Sequence, residues 1–377
     1  RSAIVQGDDV DAMVEEVLER TGGIRSLIRD GDRVVIKPNL TWIRAEGFTP
    51  GITTDLRIVR ALVKQIRTSV PCELIIAEGT PASAERMFDA LGYAEMAREF
   101  DVELVDVDRS PREAVRIDGV AHHEYNLPTV TQNADVLIDV AVLKTHDRTG
   151  VTLGMKNLYG LLDNPKSRFH GQVHEVICDL SIARRPDFVI IDGIVGMEGQ
   201  GPIDGDPIRR NLLVAGRDVV AVDAVGTALM GFDPKAVTHL RLAHQRGLGE
   251  IDPARIGIVG VPLSEARHEF RPAMRDARVT LEATPARMER LRKLGDHVEQ
   301  PRWGRGLFVR FEPGKLAVNH ATCPQRKPTG FSAYVHRRRE IRFRVPFMSL
   351  YPEHQAAAEE ELRRWIDEQL DDKKEAE

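Results

Sequence analysis

Residues 135–146 read "DVLIDVAVLKTH", a run of mostly branched apolar residues that ends in lysine, threonine and histidine. A short, almost continuously apolar run of this kind is typical of a strand that is buried on both faces of a parallel sheet. The chain has 377 residues, of which 42% are hydrophobic and 29% are charged, as in soluble globular proteins. The stretch therefore predicts a central strand of an α/β domain, with Lys144, Thr145 and His146 at the edge of the sheet.

Similar apolar runs alternate with helical patterns up to about residue 262. Helical spacing of apolar residues occurs in 9–21 and 53–66, and the second helix has Thr53 or Thr54 as its predicted N-cap. The other strand-like runs are 32–40, 72–79, 102–108, 187–196, 211–216 and 255–260. Short strands that alternate with helices predict a mostly parallel sheet that is covered by helices on both faces.

The C-terminal part of the chain differs in composition. It is rich in arginine and glutamate, with aromatic residues in 302–311 and 340–351, and it ends in a polar helical pattern over 352–377. We therefore predict an α/β domain over residues 1–262 and a C-terminal α+β appendage over 263–377. The appendage is the part through which we expect any homo-oligomer to form.

Charge and cysteine content exclude several classes of protein. The net charge of −5, with both signs mixed along the chain, argues against a dedicated nucleic-acid surface. The chain contains no apolar run of about 18 residues, so we expect no membrane span. Cys72, Cys178 and Cys323 are scattered and form no C-x-x-C pair, so neither an iron–sulfur cluster nor a zinc knuckle is expected. This pattern suits a reducing cytoplasm.

Polar groups stand at the end of one predicted strand after another. In parallel α/β sheets, ligands bind beyond the carboxyl ends of the strands. One charged residue at one strand end is simply solvated, whereas polar groups at several ends predict a shared cleft. The groups are Lys37 with Asn39, Glu78, Lys144 with Thr145 and His146, and Asp192 followed by Glu198.

The stretch after residue 146 predicts an anion site. Residues 149–162, "TGVTLGMKNLYGLL", have the pattern of a helix start with Thr149 or Thr152 as its cap, and the free N–H groups of a helix start favour anions. No G-x-x-x-x-G-K-[ST] loop is present, so a nucleotide is not indicated. We therefore expect a small carboxylate or phosphate metabolite; the alternative is that Lys156 is simply exposed on its helix. The predicted ligand-binding residues are Lys37, Asn39, Thr145, Thr149, Thr152, Lys156 and Asn157.

Two histidines suggest a metal site. His170 and His174 are four residues apart, which places them on one face if residues 169–180 are helical. With Asp192 and Glu198 they form a predicted nitrogen and oxygen ligand set for a divalent metal such as zinc, iron or nickel. The alternative is that His170 caps the helix and His174 faces solvent.

His146 is the predicted general base. A neighbouring ammonium group such as that of Lys144 would depress the pKa of this imidazole, and a neutral imidazole accepts protons. The predicted catalytic set is therefore His146, Lys144 and Glu78. Asp223 lies among apolar residues at a helix start, which indicates a buried cap rather than a reactant. The reaction type stays open between isomerisation, elimination and metal-assisted hydrolysis.

Several of these motifs, taken in order, resemble the domain-of-unknown-function 362 family over about residues 33–262. They are "IKPNL" (36–40), "TTD" (53–55), "LKTH" (143–146), "TGVTLGMKNLYGLL" (149–162), "FHGQVH" (169–174), "IDGIVGMEGQGP" (191–202) and "GRDVVAVDAVG" (216–226). Members of that family are often linked to an iron–sulfur ferredoxin module, but this chain lacks the cysteine cluster. A looser similarity to the N-terminal part of lactate racemase-type proteins implies small hydroxy acids.

Three functions are compatible with these observations. The first is an enzyme that acts on a small anionic metabolite. The second, which the family resemblance implies, is a redox accessory protein that works with a separate iron–sulfur partner. The third is a metabolite-binding protein without catalytic activity.

Overall fold

The computed structural model of the chain divides into two compact units, Arg1–Ala273 and Met274–Glu377. The residues that the structure describes are 1–42, 49–80, 83–299, 307–311, 331–336, 340–348, 350 and 354–370. The first unit is an α/β domain and the second is an α+β domain. Cys323 and the last residues of the predicted C-terminal helix, 371–377, lie outside the described residues.

The boundary between the units falls later than the predicted position after residue 262. The backbone N–H groups of His268 and Phe270 donate to the carbonyls of Leu229 and Met230, at 2.8 and 3.0 Å. Phe270 is 4% exposed. The segment that follows residue 262 therefore belongs to the first unit as far as Ala273, because hydrogen bonds and apolar burial attach it there.

A nine-stranded sheet forms the centre of the first unit. The strands of this unit are β1 (Ser2–Gln6), β2 (Arg33–Pro38), β3 (Glu73–Glu78), β4 (Glu103–Asp106), β5 (Arg112–Arg116), β6 (Glu124–Pro128), β7 (Val136–His146), β8 (Gly150–Thr152), β9 (Phe188–Glu198), β10 (Asp206–Gly216) and β11 (Ile258–Gly260). Their order is β11-β1-β10-β9-β7-β2-β3-β4, with β8 paired to β7 and with β5 and β6 in a separate hairpin. Strands β4, β3, β2, β7 and β9 are parallel, whereas β10 pairs antiparallel with β9 and β1. The sheet is therefore mostly parallel, as predicted.

Helices cover both faces of this sheet. They are α1 (Val10–Arg20), α2 (Leu56–Ser69), α3 (Ala84–Ala90), α4 (Tyr93–Phe100), α5 (Thr129–Gln132), α6 (Gly154–Asn157), α7 (Val173–Ala183), α8 (Val219–Leu229), α9 (Thr238–Gln245) and α10 (Leu263–Ala266). Ile190 of β9 belongs to the apolar cluster that contains residues of α1, α2 and α4. The next residue, Ile191, packs beside Gly226 of α8. Because side chains alternate along a strand, an uninterrupted apolar run serves both faces at once.

Capping of α2 differs from the sequence prediction. The carboxylate of Asp55, not Thr53 or Thr54, accepts the hydrogen bond of the first turn, from the N–H of Arg57. The hydroxyl of Thr54 instead donates to the carbonyl of Val140 at 2.7 Å and accepts from the backbone N–H that follows β2, at 2.9 Å. Thr54 thus attaches the segment before α2 to the sheet, next to the carboxyl end of β2 and the neighbouring residues of β7.

The second unit contains an antiparallel five-stranded sheet with its own apolar core. Its elements are β12 (Met274–Glu282), α11 (Pro285–Leu294), β13 (His297–Glu299), β14 (Leu307–Phe311), β15 (Phe331–His336), β16 (Glu340–Met348) and α12 (His354–Gln369). The rings of Phe311 and Phe331 stack with centroids 4.2 Å apart, and Trp365 of α12 lies edge-on to both. In the described part of both units, no helix has the length and apolar character needed to cross a membrane.

Candidate functional site

A cavity of about 290 Å³ lies at the carboxyl ends of β2, β3 and β7, the edge of the sheet at which the strand-end residues predict a cleft. Its lining residues are Lys37, Asn39, Thr41, Glu78, Gly79, Lys144, His146, Asp147, Arg148, Thr152, Lys156, Asn157, Tyr159, Gly160, Lys166, His170 and Pro202. This set includes most of the site residues predicted from the sequence. The predicted residues outside the lining are Thr145, Thr149, His174, Asp192 and Glu198.

A buried ion pair forms one wall of the cavity. The Lys37 ammonium lies 2.9 Å from Oε2 of Glu78, and the two residues are 0% and 3% exposed. The other oxygen, Oε1, accepts from the N–H of Gly79 at 2.8 Å. A buried pair is stable only when further hydrogen bonds satisfy its charges. A Cβ on Gly160 would lie 2.6 Å from Glu78 Oε1, so glycine is required where this chain segment crosses the pair.

Two asparagines connect a second lysine to a buried acid. The Lys144 ammonium donates to Asn39 Oδ1 at 2.9 Å, and Asn39 Nδ2 donates to Asn157 Oδ1 at 2.7 Å. Asn157 Nδ2 in turn donates to Oδ1 of Asp139 at 2.6 Å. Reversing either amide would place two donors face to face, so the hydrogen bonds all run in one direction. Lys144 also donates to the carbonyl of Ile52, at 2.7 Å.

Burial shifts the pKa values at both ends of this chain of hydrogen bonds. Burial, reinforced by the Lys156 ammonium, lowers the pKa of Lys144 to about 7. Burial raises the pKa of Asp139 to about 7, against the opposing effects of Lys37 and Asn157. Oδ2 of Asp139 is buried without a hydrogen-bond partner among the described residues. The lysine and the acid therefore both titrate close to neutral pH.

Lys156 differs from the other lysines of the cavity. Its ammonium lies over the ring of Tyr159, 4.1 Å from the ring centroid, and no described residue accepts a hydrogen bond from it. Burial lowers the pKa of this amine to about 8, and the charges of Lys37 and Lys166 act in the same direction. The Lys156 amine therefore makes no hydrogen bond to any residue that the structure describes.

Two further cations that the sequence analysis missed line the cavity. Lys166 donates to the carbonyl of Gly79 at 3.2 Å and lies 3.2 Å from an oxygen of Asp108. Arg148 lies in the tight connection between β7 and β8. Neither residue follows a buried strand directly, so the strand-end pattern could not reveal them.

The His146 imidazole is neutral at neutral pH, but mainly for a reason other than the predicted one. Burial is the largest influence and lowers its pKa to about 4; Asp147 opposes this shift, and the ammonium groups of Lys156 and Lys144 add to it. Nδ1 of His146 lies 3.0 Å from the backbone nitrogen of Arg148 and 3.1 Å from Oδ1 of Asp147.

The prediction that Thr149 or Thr152 caps the start of α6 is wrong. The first N–H groups of α6, those of Gly154 and Met155, donate to the two carboxylate oxygens of Asp223, each at 2.8 Å. Asp223 is therefore a buried cap, as predicted, and burial raises its pKa. Because this carboxylate occupies both N–H groups, neither Thr149 nor Thr152 caps α6, and these two groups are not available to an anion.

The three predicted ligand-binding threonines have separate positions. Thr145 donates to the carbonyl of Gly199 at 2.9 Å, and Thr149 donates to the carbonyl of Val151 at 2.9 Å. Thr152 alone of the three lines the cavity. Its buried hydroxyl oxygen has no hydrogen-bond partner in the described part of the chain.

The two carboxylates of the predicted metal set lie outside the cavity and already accept hydrogen bonds. β9 continues to Glu198, past the predicted strand end at Asp192. The oxygens of Asp192 accept from the N–H groups of Asp55 and Ile194, at 2.8 and 2.9 Å, and burial raises the pKa of this acid to about 7. Glu198 accepts from the guanidinium and the backbone N–H of Arg271, at 2.7 and 2.9 Å.

The two histidines of that set do not share a helix face. Residues Lys166–Gln172 form a 3₁₀ helix, and α7 begins only at Val173. His170 stacks on Tyr159 in the cavity, whereas Nδ1 of His174 lies 3.3 Å from Nδ1 of the buried His239. The predicted set is therefore not brought together. Among the described residues, no three His, Cys, Asp or Glu side chains form a metal-binding group.

Two solved structures resemble parts of the chain and share little sequence with it. One is the lactate racemase apoprotein from Thermoanaerobacterium thermosaccharolyticum, with a TM-score of 0.37 and 15% identity over 57% of this chain. Another is a structural-genomics target from Thermotoga maritima, with a TM-score of 0.32 and 14% identity over 54% of this chain. The chain spans about half the length of each, 54% and 55%.

Sequence comparison identifies a relative and a family. A thylakoid-associated protein from Synechocystis sp. is 30% identical over 258 residues, which are 66% of this chain and 78% of the relative. The model of a family described as "Domain of unknown function (DUF362)" matches residues 34–228. This range contains all of the residues that line the cavity. The chain belongs to the DUF362 family.

Proposed function

We propose that the chain is an enzyme that acts on a small carboxylate or phosphate metabolite, bound in the cavity at the carboxyl ends of β2, β3 and β7. The observation that supports this proposal is the balance of charge around the cavity. Two carboxylates, Glu78 and Asp147, are outnumbered there by cations. The cationic residues of the lining are Lys37, Lys144, Arg148, Lys156 and Lys166.

The size of the cavity favours a small ligand. Cavities that hold drug-sized ligands have volumes of roughly 300–1,000 Å³, and this one, at about 290 Å³, is at the lower limit. A short carboxylic acid or a small phosphate ester fits such a volume, whereas a dinucleotide does not. The absence of a phosphate-binding loop motif from the sequence agrees with this conclusion.

The lysines have different roles in the proposal. The charge of Lys37 is balanced by Glu78, so Lys37 contributes mainly to the wall of the cavity. Lys144 and Lys156 carry the charges that attract the ligand, because no described carboxylate hydrogen-bonds to either amine. A charge-assisted hydrogen bond to an anion is about twice as strong as a neutral one. Binding of an anion would also raise the pKa of both amines towards the charged form.

The neutral imidazole of His146 is the proposed general base. A base must be unprotonated at the working pH and must reach the proton that it removes. His146 lines the cavity and has a pKa of about 4, so it meets the first condition, and its position in the lining supports the second. Isomerisation, elimination and hydrolysis all need such a group, and the reaction type stays open between them.

Replacement of Lys144 by methionine tests the proposal. Isothermal titration calorimetry with oxalate, pyruvate and inorganic phosphate should show binding to the native chain. The Lys144→Met variant should bind at least about ten-fold more weakly, because a lost charged hydrogen bond costs roughly 1.5–3 kcal/mol. Lys64→Met is the matched control, since Lys64 is exposed and paired with Asp11 on the surface. If the Lys144→Met variant bound these anions as tightly as the native chain, the proposal would be wrong.

The remaining expectations stay predictions. A divalent metal, a homo-oligomer formed through the C-terminal region and a cytoplasmic location are all compatible with an anion-binding enzyme. The same holds for the expected absence of nucleic-acid and membrane partners. Any metal ligands would have to be a set other than the four residues predicted from the sequence, since these do not meet.

A further inference from the structure

We propose that Lys156 is a nucleophile that forms an imine with the carbonyl carbon of a small 2-oxo acid. This inference rests on the proposed function, because it takes the same cavity as the place where the acid binds. It goes further in naming the substrate class and the reacting atom. It also assigns a chemical role to the cavity lysine whose amine has no hydrogen-bond acceptor among the described residues.

The contacts of the four lysines in the cavity wall single out Lys156. Its amine has the face of a tyrosine ring beside it and no acceptor in the part of the chain that the structure describes. Its nitrogen can therefore move onto a ligand without breaking a hydrogen bond to those residues. The other three amines have acceptors between 2.7 and 3.3 Å away: Glu78 for Lys37, Asn39 and Ile52 for Lys144, and Gly79 and Asp108 for Lys166.

The surroundings of Lys156 also favour the reactive, uncharged amine. Only an amine without its proton has the lone pair that attacks a carbonyl, and lysines become nucleophilic when they are desolvated or placed beside other cations. Both conditions hold here, since burial and the charges of Lys37 and Lys166 lower the pKa of Lys156 to about 8. With this pKa, roughly one tenth of the amine is uncharged at pH 7.

The other cations of the lining suit the carboxylate of a 2-oxo acid. In such an acid the carboxylate is bonded directly to the carbonyl carbon, so an anion site beside the amine brings the carbonyl to it. Lys144 lines the same cavity as Lys156, and the charge of Lys156 contributes to the lowered pKa of Lys144. Arg148 lines the same cavity and can pair with both carboxylate oxygens.

The proposed step balances without any oxidant or reductant. The Lys156 lone pair forms a bond to the carbonyl carbon while the carbon–oxygen π pair moves to oxygen, which takes up a proton from water. The nitrogen loses a proton to the neutral imidazole of His146, giving a carbinolamine. The imidazolium then returns its proton to the hydroxyl group, which leaves as water while the nitrogen lone pair forms the double bond. Loss of the remaining N–H proton to water yields the neutral imine, so amine and carbonyl give imine and water.

Borohydride trapping tests the inference on the full chain. Pyruvate is the carbonyl probe, and sodium borohydride reduces any imine to a stable secondary amine. Intact-mass measurement should show the addition of one reduced pyruvate per chain, and peptide mapping should place it on Lys156. Lys156→Arg keeps a cation but cannot form the imine, so it should lose the adduct. Lys64→Met, which removes an exposed lysine, should keep the adduct.

The outcomes separate this inference from the proposed function. Oxalate is an anion without a ketone group, so it reports on anion binding alone. Binding of oxalate together with no adduct, or with adducts spread over exposed lysines, would overturn the imine and leave the anion site standing. Failure of the native chain to bind oxalate, pyruvate or phosphate would overturn both. Peptide mapping of the adduct on the native chain shows whether Lys156 forms the imine, even if Lys156→Arg does not fold.

Discussion

Lys144 and Lys37 are both fully buried, yet their charges have different surroundings. Lys37 has a carboxylate 2.9 Å away, whereas Lys144 has an amide oxygen and a backbone carbonyl as its described acceptors. Burial of a charge without an opposite charge favours the neutral form. The pKa of Lys144 falls to about 7 for this reason. The two strand-end lysines, which look alike in the sequence, therefore have different chemistry.

Anion affinity should decrease as the pH rises through about 7 and then about 8. These are the pKa values of Lys144 and Lys156, and each amine loses its positive charge above its own value. Ionisation of Asp139, whose pKa is about 7, adds negative charge in the same interval and acts in the same direction. His146, with a pKa of about 4, stays neutral throughout.

Calorimetric titration with oxalate at constant ionic strength would measure this dependence, since oxalate keeps its charge over that interval. We expect the dissociation constant to increase by about ten-fold or more, the effect of losing a charge-assisted hydrogen bond. Lys156→Met should lack the upper part of the decrease. An affinity that stays constant or increases with pH would contradict the assignment of these two amines as the anion contacts.

At the scale of elements, the short helix α6 carries two residues of the site, and a residue of another helix caps its N-terminus. Its first N–H groups bind the carboxylate of Asp223, which belongs to α8. Lys156 and Asn157 are the last two residues of α6. The position of the nucleophile proposed above is thus set by the packing of α6 against α8.

Gly154→Ala should destabilise the chain through this packing. A Cβ at residue 154 would lie 2.8 Å from a methyl group of Val189, 3.0 Å from Asp223 and 3.1 Å from Asp139. Overpacking of this kind costs roughly 1–3 kcal/mol. Chemical unfolding would measure the loss, with Gly171→Ala as the control because a Cβ there meets nothing within 4 Å. Equal stability of the two variants would show that α6 can move away without cost.

Elements with a clear local pattern of apolar residues could be predicted from the sequence. Features that depend on residues far away in the chain could not. The runs that contain Ile190 and Leu137 are apolar over most of their length, so buried parallel strands followed from their sequence. The cap of α6 could not be predicted, because its carboxylate lies 69 residues away in the chain, a separation that no local pattern encodes. Lys166 was missed for a related reason, since a 3₁₀ helix and not a strand end brings it to the cavity.

At the scale of the whole molecule, the chain consists of two units with separate apolar cores. Every residue that lines the cavity belongs to the first unit. Composition alone placed the end of this unit too early, because the segment after residue 262 is polar in sequence and owes its attachment to Ala266 and Phe270, which are buried. The burial of a few side chains, rather than average composition, decides where a unit ends.

A chain that ends after Ala273 should keep the stability of the first unit and its oxalate affinity. A chain that ends after Pro262 should unfold more easily, because it lacks Phe270 and the ion pair of Arg271 with Glu198. Full burial of a phenylalanine is worth roughly 1.5–3 kcal/mol. Thermal unfolding and calorimetry would compare the two chains. Loss of oxalate binding in the longer one would show that the second unit contributes to the site.

The two asparagines between Lys144 and Asp139 have a consequence for how the site responds to its ligand. Side-chain amides neither gain nor lose protons near neutral pH, so this connection transmits polarisation and blocks proton transfer. Lys144 and Asp139 can therefore each change their protonation state without passing a proton to the other through the two amides. A bound anion favours the protonated form of both, because it attracts the ammonium charge and repels a second negative charge. Anion binding near neutral pH should thus take up protons from the solvent.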